Sequence, residues 1–280
     1  AEGARAFAIG LKPLDPARWL EPDERLAAEL ALKDRLARER PAVVFQAEAV
    51  TQDAQAEVLS LVVDHLLADH PGLVARAVET LRVPGIGRAV ALADGSPPLA
   101  VAGRLVQDDL VLMRRGAGGW RLAAASLSFP SHWSLAEKMS LPMAAIHAPV
   151  PGFAGQMATR VDRVFDNLRP GIPVWRLNWS LQDDAEPHHP APKRGPKDWS
   201  RPHVRVERQT LRALPRSGDI LFTIRVRLDP LDALATHPDG RRLAALLRED
   251  LLRLDADQLA YKGLADAREG IAARLAALAT

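Results

Sequence analysis

The stretch HVRVERQTLRALPRSGDILFTIRVRL, His203–Leu228, decides the fold. Two runs rich in β-branched and aliphatic residues flank Pro215-Arg216-Ser217-Gly218, which has the chemistry of a turn. The segment therefore reads as two strands, His203 to Leu214 and Asp219 to Leu228, joined as a hairpin. Alternation groups Arg205, Glu207 and Gln209 on one side of the first strand. On the second it sets Thr223, Arg225 and Arg227 opposite Phe222, Ile224 and Val226. Facing Glu207 with Arg225 pairs unlike charges, whereas a slip of one residue opposes Arg208 to Arg225, so the Glu207–Arg225 register is expected.

Working outward, Pro173 to Leu181 reads as a third strand, with Trp175, Leu177 and Trp179 on one face and Arg176 and Asn178 on the other. The polar segment Gln182 to Ser200 reads as a surface loop, and its His188 and His189 as loop residues rather than metal ligands. Leu110 to Arg114 and Trp120 to Ser128 form a further hairpin signal across Gly116-Ala117-Gly118-Gly119. Helical, proline-punctuated sequence fills Ser131 to Leu168. The polar rows on the strands suit either a solvated face crossed by salt bridges or the lining of a pocket.

The resulting order is strand, strand, helices, strand, strand, strand, as in PAS domains. The fold expected is α+β: a PAS-like five-stranded antiparallel sheet with a helical wall. Its core spans about residues 100–230, helical flanks cover 20–95 and 231–280, and the whole of 1–280 forms one elaborated domain. Residues 6–20 look extended. Asp23 can cap a helix from about Glu24 to Arg38, and a second helix near Thr51 to Asp69 carries Val58, Val62, Val63 and Leu66 at core spacing. Pro238 to Thr280 is again amphipathic helix, broken near Gly263.

Composition removes several function classes. A chain of 280 residues, 48% hydrophobic and 26% charged, is ordinary for a globular protein with a large core. It has no cysteine, which excludes thiolate-ligated haem, cysteine-held iron–sulfur clusters and cysteine zinc sites on this chain. A net charge of +2, scattered along the sequence, gives no nucleic-acid signature. No apolar run is long enough to span a membrane and the first residues do not resemble a secretory signal, so a cytoplasmic protein is expected. Gly85-Ile86-Gly87 is too short for a dinucleotide fingerprint.

One histidine stands out within FPSHWSLAEKMSLPMAAIHAPVP, Phe129–Pro151: His147 ends a helical run stopped by Pro149 and Pro151. On the helical wall of the expected fold, a positioned imidazole there suits a metal, although lone histidines more often serve structure.

The motifs VQDDLVLM (106–113), FPSHW (129–133), IHAPVP (146–151), RLNW (176–179), VRVERQTLRALPRSGDILFTIR (204–225) and YKG (261–263), together with GLKPLDPARW (10–19), carry a resemblance. In this set the chain resembles the haem-dependent oxidative N-demethylase family. The resemblance implies a PAS-like protein binding haem b, which oxidises a small methylated secondary amine with O2 and releases formaldehyde. Electrons would come from partner reductase subunits carrying FMN and a 2Fe-2S centre fed by NADPH. It further implies a histidine on the iron, His147 by its place in IHAPVP, with His132 in FPSHW as the competitor. Haem propionates call for guanidinium forks, for which Arg176, Arg205, Arg208 and Arg225 are candidates, with Asn178 beside them. An ammonium substrate in an apolar pocket calls for a carboxylate: Glu207, flanked by Gln209 and Arg225, with Glu137 second. Tyr261 lies outside the expected pocket strands. A haem-based gas or redox sensor, and a haem-free interaction module, are the other readings these features allow.

Overall fold

The computed structural model describes residues 10–153, 155–191 and 197–280; residues 6–9 of the extended N-terminal reading and 192–196 of the polar loop lie outside them. The strands are β1 Lys12–Pro13, β2 Phe45–Ala47, β3 Ala75–Ala77, β4 Thr80–Val83, β5 Arg88–Ala91, β6 Asp109–Gly116, β7 Gly119–Ser126, β8 Val174–Gln182, β9 His203–Ala213 and β10 Ile220–Pro230. Helices α1 Leu26–Glu39, α2 Pro41–Val44, α3 Gln52–Asp69 and α4 Pro98–Gly103 precede β6. Between β7 and β8 come α5 Leu135–Lys138, α6 Met143–Ile146 and α7 Gln156–Asn167; after β10 come α8 Gly240–Leu252, α9 Ala256–Lys262 and α10 Arg268–Leu278.

The fold is α+β, built on a large antiparallel sheet. That sheet has seven strands in the order β1-β8-β9-β10-β6-β7-β2, not the five expected. The five long strands are those read from the sequence. The two extra ones are two- and three-residue pieces that pair with Val174 and Trp175 at one edge and with Ala124 to Ser126 at the other. They are too short to show alternation, yet they cover main-chain groups that an open edge would leave unpaired. A three-stranded meander, β3-β4-β5, also interrupts the 20–95 flank, which is therefore not purely helical. Its buried Leu81, Val83 and Val90 join the core beneath α3.

The β9–β10 register departs from the expectation. Arg225 faces Arg208, and Glu207 faces Val226. Neighbouring arginines are tolerated because each finds its partners elsewhere in the chain. Arg225 reaches Asp23 at 2.6 Å and Glu29 at 2.8 Å, while Arg208 donates to the Trp19 and Arg18 carbonyls and lies 3.6 Å from Glu21. The tight turn closes with Gly218 at φ +73°, where a side chain would be strained.

Each sheet face has its own core. One carries Leu110, Leu112 and Leu221 and packs against Leu26 and Leu30 of α1 and Val58 and Val62 of α3. The other, which we call the wall face, carries Val111, Leu211, Ile220, Phe222 and Ile224 and packs against Met139, Met143, Ile146, Val161 and Phe165 from the α5–α7 segment. The C-terminal helices bury Leu251, Leu259, Leu264 and Leu275 together with Leu181 and Leu231. Among the described residues no helix is long and apolar enough to cross a membrane.

Candidate functional site

The wall face is polar at one end. In β8, Arg176 and Asn178 face Gln209 and Glu207 of β9 across the ladder, and Arg205 sits opposite Ser180. The strand alternation that places these five side chains together also directs the apolar Phe222 and Ile224 of β10 beside them. Thus β10 contributes its apolar row to this face, not the Thr223-Arg225-Arg227 row.

Glu207 is the centre of the polar group. Its Oε1 accepts from Arg205 Nε at 3.0 Å, and its Oε2 from Gln209 Nε2 at 2.9 Å and Asn178 Nδ2 at 3.2 Å. Burial alone would raise its pKa. The Arg205 charge and the bonds from Arg205, Asn178 and Gln209 outweigh burial and hold the carboxyl below its ordinary value. Glu207 is therefore an ionised, oriented carboxylate in a low-dielectric setting. Arg205 is fixed in turn by the carbonyls of Phe129 and Pro187 and by Gln182.

Arg176 differs from the other arginines in its surroundings. Burial lowers its pKa, Glu207 partly opposes that, and its Nε is buried without a hydrogen-bond partner among the described residues. By contrast, Arg208 and Arg225 lie on the opposite face of the sheet with their donors engaged, apart from Arg225 Nε. Only Arg176 and Arg205 of the four candidate arginines, with Asn178, Glu207 and Gln209, are brought together on the wall face. Glu137 is exposed on α5.

His147 caps α6 and is half-buried. Its Nδ1 lies 3.0 Å from the Met143 carbonyl, and its ring stacks on Phe153 at 4.5 Å between centroids. A carbonyl can only accept, so Nδ1 carries the proton and Nε2 presents a lone pair, with no hydrogen bond among the described residues. Burial first, and then the charges of Lys138 and Arg176, lower its pKa against the Met143 bond, which keeps the ring neutral. This is the ligating form of an imidazole, with its second nitrogen oriented by a backbone carbonyl.

His132, the competitor, has a different environment. It adopts φ +61° and stacks on His189 at 4.5 Å. Burial, with the neighbouring His189 and Lys197, lowers its pKa to about 4. The loop read as surface is docked here: His132 N donates to the His189 carbonyl, His189 N to Pro130, and His188 Nδ1 lies 2.7 Å from the Ser128 carbonyl.

Sequence reasoning placed Tyr261 outside the pocket. It stands partly exposed at the end of α9, where partial burial and then the Glu207 charge raise its pKa. Next to it, Lys262 donates to the Trp179 carbonyl, and its pKa falls to about 8 through burial, against the pull of Glu207. Gly263 at φ +65° ends the helix just after Lys262, whose side chain reaches β8. The YKG triplet at a helix end was the available signal.

Phe222 and Ile224 on the wall face are only partly buried although β10 is the middle strand, whereas Leu221, Thr223 and Arg225 on the other face are fully buried. These half-covered apolar side chains lie on the same face as the fixed Glu207 carboxylate and Arg176. Two open clefts, one beside Leu234 and His237 and one beside the Gly116–Gly119 turn, lie away from it and hold none of these groups.

A family model described as haem-dependent oxidative N-demethylase, alpha subunit-like, matches residues 10–272. The chain belongs to this family. The family's name makes haem its cofactor and oxidative N-demethylation its type of reaction. The residues present fit haem: a neutral imidazole with a lone pair at His147 Nε2, an unsatisfied Arg176 Nε that a propionate would satisfy, and partly buried apolar side chains at Phe222 and Ile224 for the macrocycle.

Proposed function

We propose that this member of the haem-dependent oxidative N-demethylase family binds haem b through His147, with Arg176 as a propionate partner. In this reading it removes a methyl group from a small secondary amine resembling dimethylamine, using O2 and electrons from separate reductase subunits. The observation that carries the reading is the ionised Glu207, held by Arg205, Asn178 and Gln209 on a half-open face that the His147 segment covers. Haem, when bound, supplies one-electron and O2 chemistry that no side chain here provides.

The chain's own residues account for the rest. A secondary amine is a cation at neutral pH, and bringing it onto an apolar face needs an anion already there. Glu207 meets that need without reorganising, since its hydrogen bonds are made in advance. Gln209 and Asn178 keep its oxygens aimed along the face, and Phe222 and Ile224 give the methyl groups apolar contact. His147 holds its proton at Nδ1 and leaves Nε2 for iron. Because the chain lacks cysteine, a 2Fe-2S centre, with the FMN and NADPH that feed it, belongs to the partner subunits in this reading. The five long strands, in the spatial order second, first, fifth, fourth, third with the helices leaving after the second, support a PAS-like core.

The test is titration of the haem-loaded protein with dimethylamine, followed by turnover with a reductase. The reading expects an amine-dependent change in the haem spectrum and formaldehyde release, both needing about 10- to 100-fold more amine in Glu207→Gln. A spectrum unmoved by amines but altered by dissolved gases would support a sensor instead.

A further inference from the structure

The Asp108-Asp109 pair is buried at the start of β6, and the two carboxylates face different surroundings. Asp109 accepts from Ser128 N at 2.7 Å and from Phe129 N at 2.8 Å, with Lys33 Nζ 3.8 Å away. The other side of Phe129 matters as much: its carbonyl accepts from Arg205 Nη2 at 2.5 Å. Arg205 then donates to Glu207. The links are made by groups that are buried or nearly so, and the Phe129 carbonyl makes the shortest of the bonds that hold Arg205, the others going to Pro187 and Gln182. Asp108 has no such route, and its Oδ1 is buried without a partner among the described residues.

We infer that Asp109 is a positioning residue for Glu207, acting through the Phe129 peptide and Arg205. The inference rests on the reading of Glu207 as the amine-binding carboxylate. A carboxylate with two acceptor oxygens is the group that can hold two successive main-chain N–H donors at once, which anchors the chain at Ser128 and Phe129 immediately before the Phe129–Pro130 peptide whose carbonyl meets Arg205. Arg205 has its guanidinium held by that carbonyl, with Pro187 and Gln182 on Nη1, so that its Nε meets Glu207 Oε1. If the Phe129 main chain shifts, Arg205 loses the shortest of these bonds and its hold on Glu207 weakens. The charged or titratable groups around Glu207 are Arg205, Arg176, Tyr261 and Lys262; those around Asp109 are Lys33, Asp108 and Arg205.

Dimethylamine binding to haem-loaded wild type, Asp109→Asn and Asp108→Asn tests this by calorimetry across pH. Asp109→Asn presents an amide N–H₂ to one of the two donors; it is expected to weaken amine binding by about tenfold or more. Its acid limb should also move to higher pH, because Glu207 without Arg205 protonates more easily. Asp108→Asn should bind amine as wild type does. A folded Asp109→Asn with wild-type affinity and pH profile overturns the inference.

A second measurement needs no amine and no loss of Asp109. The six phenylalanines can be labelled with ¹⁵N, and Glu207→Gln should shift the Phe129 amide resonance. An unmoved Phe129 resonance contradicts the linkage even if Asp109→Asn does not fold. The two failures can be told apart: wild type that binds no amine, with a Phe129 resonance that still responds to Glu207→Gln, sinks the amine reading and leaves the linkage standing.

Discussion

Arg225 and Arg176 sit on the two faces of one sheet, and their surroundings differ in kind. Arg225 is fully buried, paired with Asp23 and Glu29 and bonded to the Val226 carbonyl. Its partners come from a segment some two hundred residues earlier, so it ties the N-terminus to the sheet. Arg176 is only half-buried and feels Glu207; its Nε, like that of Arg225, has no hydrogen-bond partner, but among the described residues Arg176 makes no ion pair of the kind that holds Arg225. The difference teaches how to divide buried charges by purpose. Where the protein supplies the partners, the cation belongs to the architecture; where it withholds them, the cation is kept for a ligand.

Substitution should break the two sides of this comparison in opposite ways. Arg225→Met leaves Glu29 without its counter-charge and Asp23 with Arg227 alone, and removal of one partner of a buried pair costs about 3–5 kcal/mol. Chemical denaturation should show that loss. Arg176→Met should change stability far less and instead weaken haem retention, seen as faster transfer of haem to an acceptor protein.

Glu207→Gln sharpens the same division on the ligand side. With the charge gone and the shape kept, dimethylamine affinity should fall about 10- to 100-fold, or roughly 1.4–2.7 kcal/mol. In the parent protein the Glu207 pKa is depressed on folding, so its contribution is fully present above the ordinary carboxylate value and is lost only as pH falls through the lower folded value. Amine binding by wild type should therefore persist through mildly acidic pH and fail below it.

Asp108 gives an effect of the opposite sign. Burial raises its pKa to about 6, only partly offset by Arg225 and Lys33. A carboxyl with a raised folded pKa stabilises the fold at low pH and loses that stabilisation as pH rises through the folded value. Asp108→Asn should thus gain stability over wild type at pH 8, by about 1–3 kcal/mol, and the gain should shrink toward pH 5. Thermal unfolding at the two pH values measures it.

The strands were legible because turn chemistry bounds them: Pro215 to Gly218 and Gly116 to Gly119 end runs that alternate cleanly. Register was not legible, because the charge pairing that favoured Glu207 against Arg225 is local, and the groups that decide it, Asp23, Glu29 and Glu21, are distant in sequence. Facing follows register, so alternation groups Arg205, Glu207 and Gln209, and Arg176 with Asn178, while which of the four candidate arginines share a face stays open until the register is known; the observed one sets Arg208 and Arg225 on the other face. Strands β1 and β2 carry too few residues for any period to show. Tyr261 lies on α9, outside the pocket strands as expected, and its nearness to Glu207 is not legible because it depends on how a helix distant in sequence packs.

The most direct test of the whole account is the absorption spectrum of the haem-reconstituted protein in wild type, His147→Ala and His132→Ala. The account predicts a Soret band that His147→Ala abolishes or strongly shifts and that His132→Ala leaves in place. An unchanged Soret band in His147→Ala would contradict it.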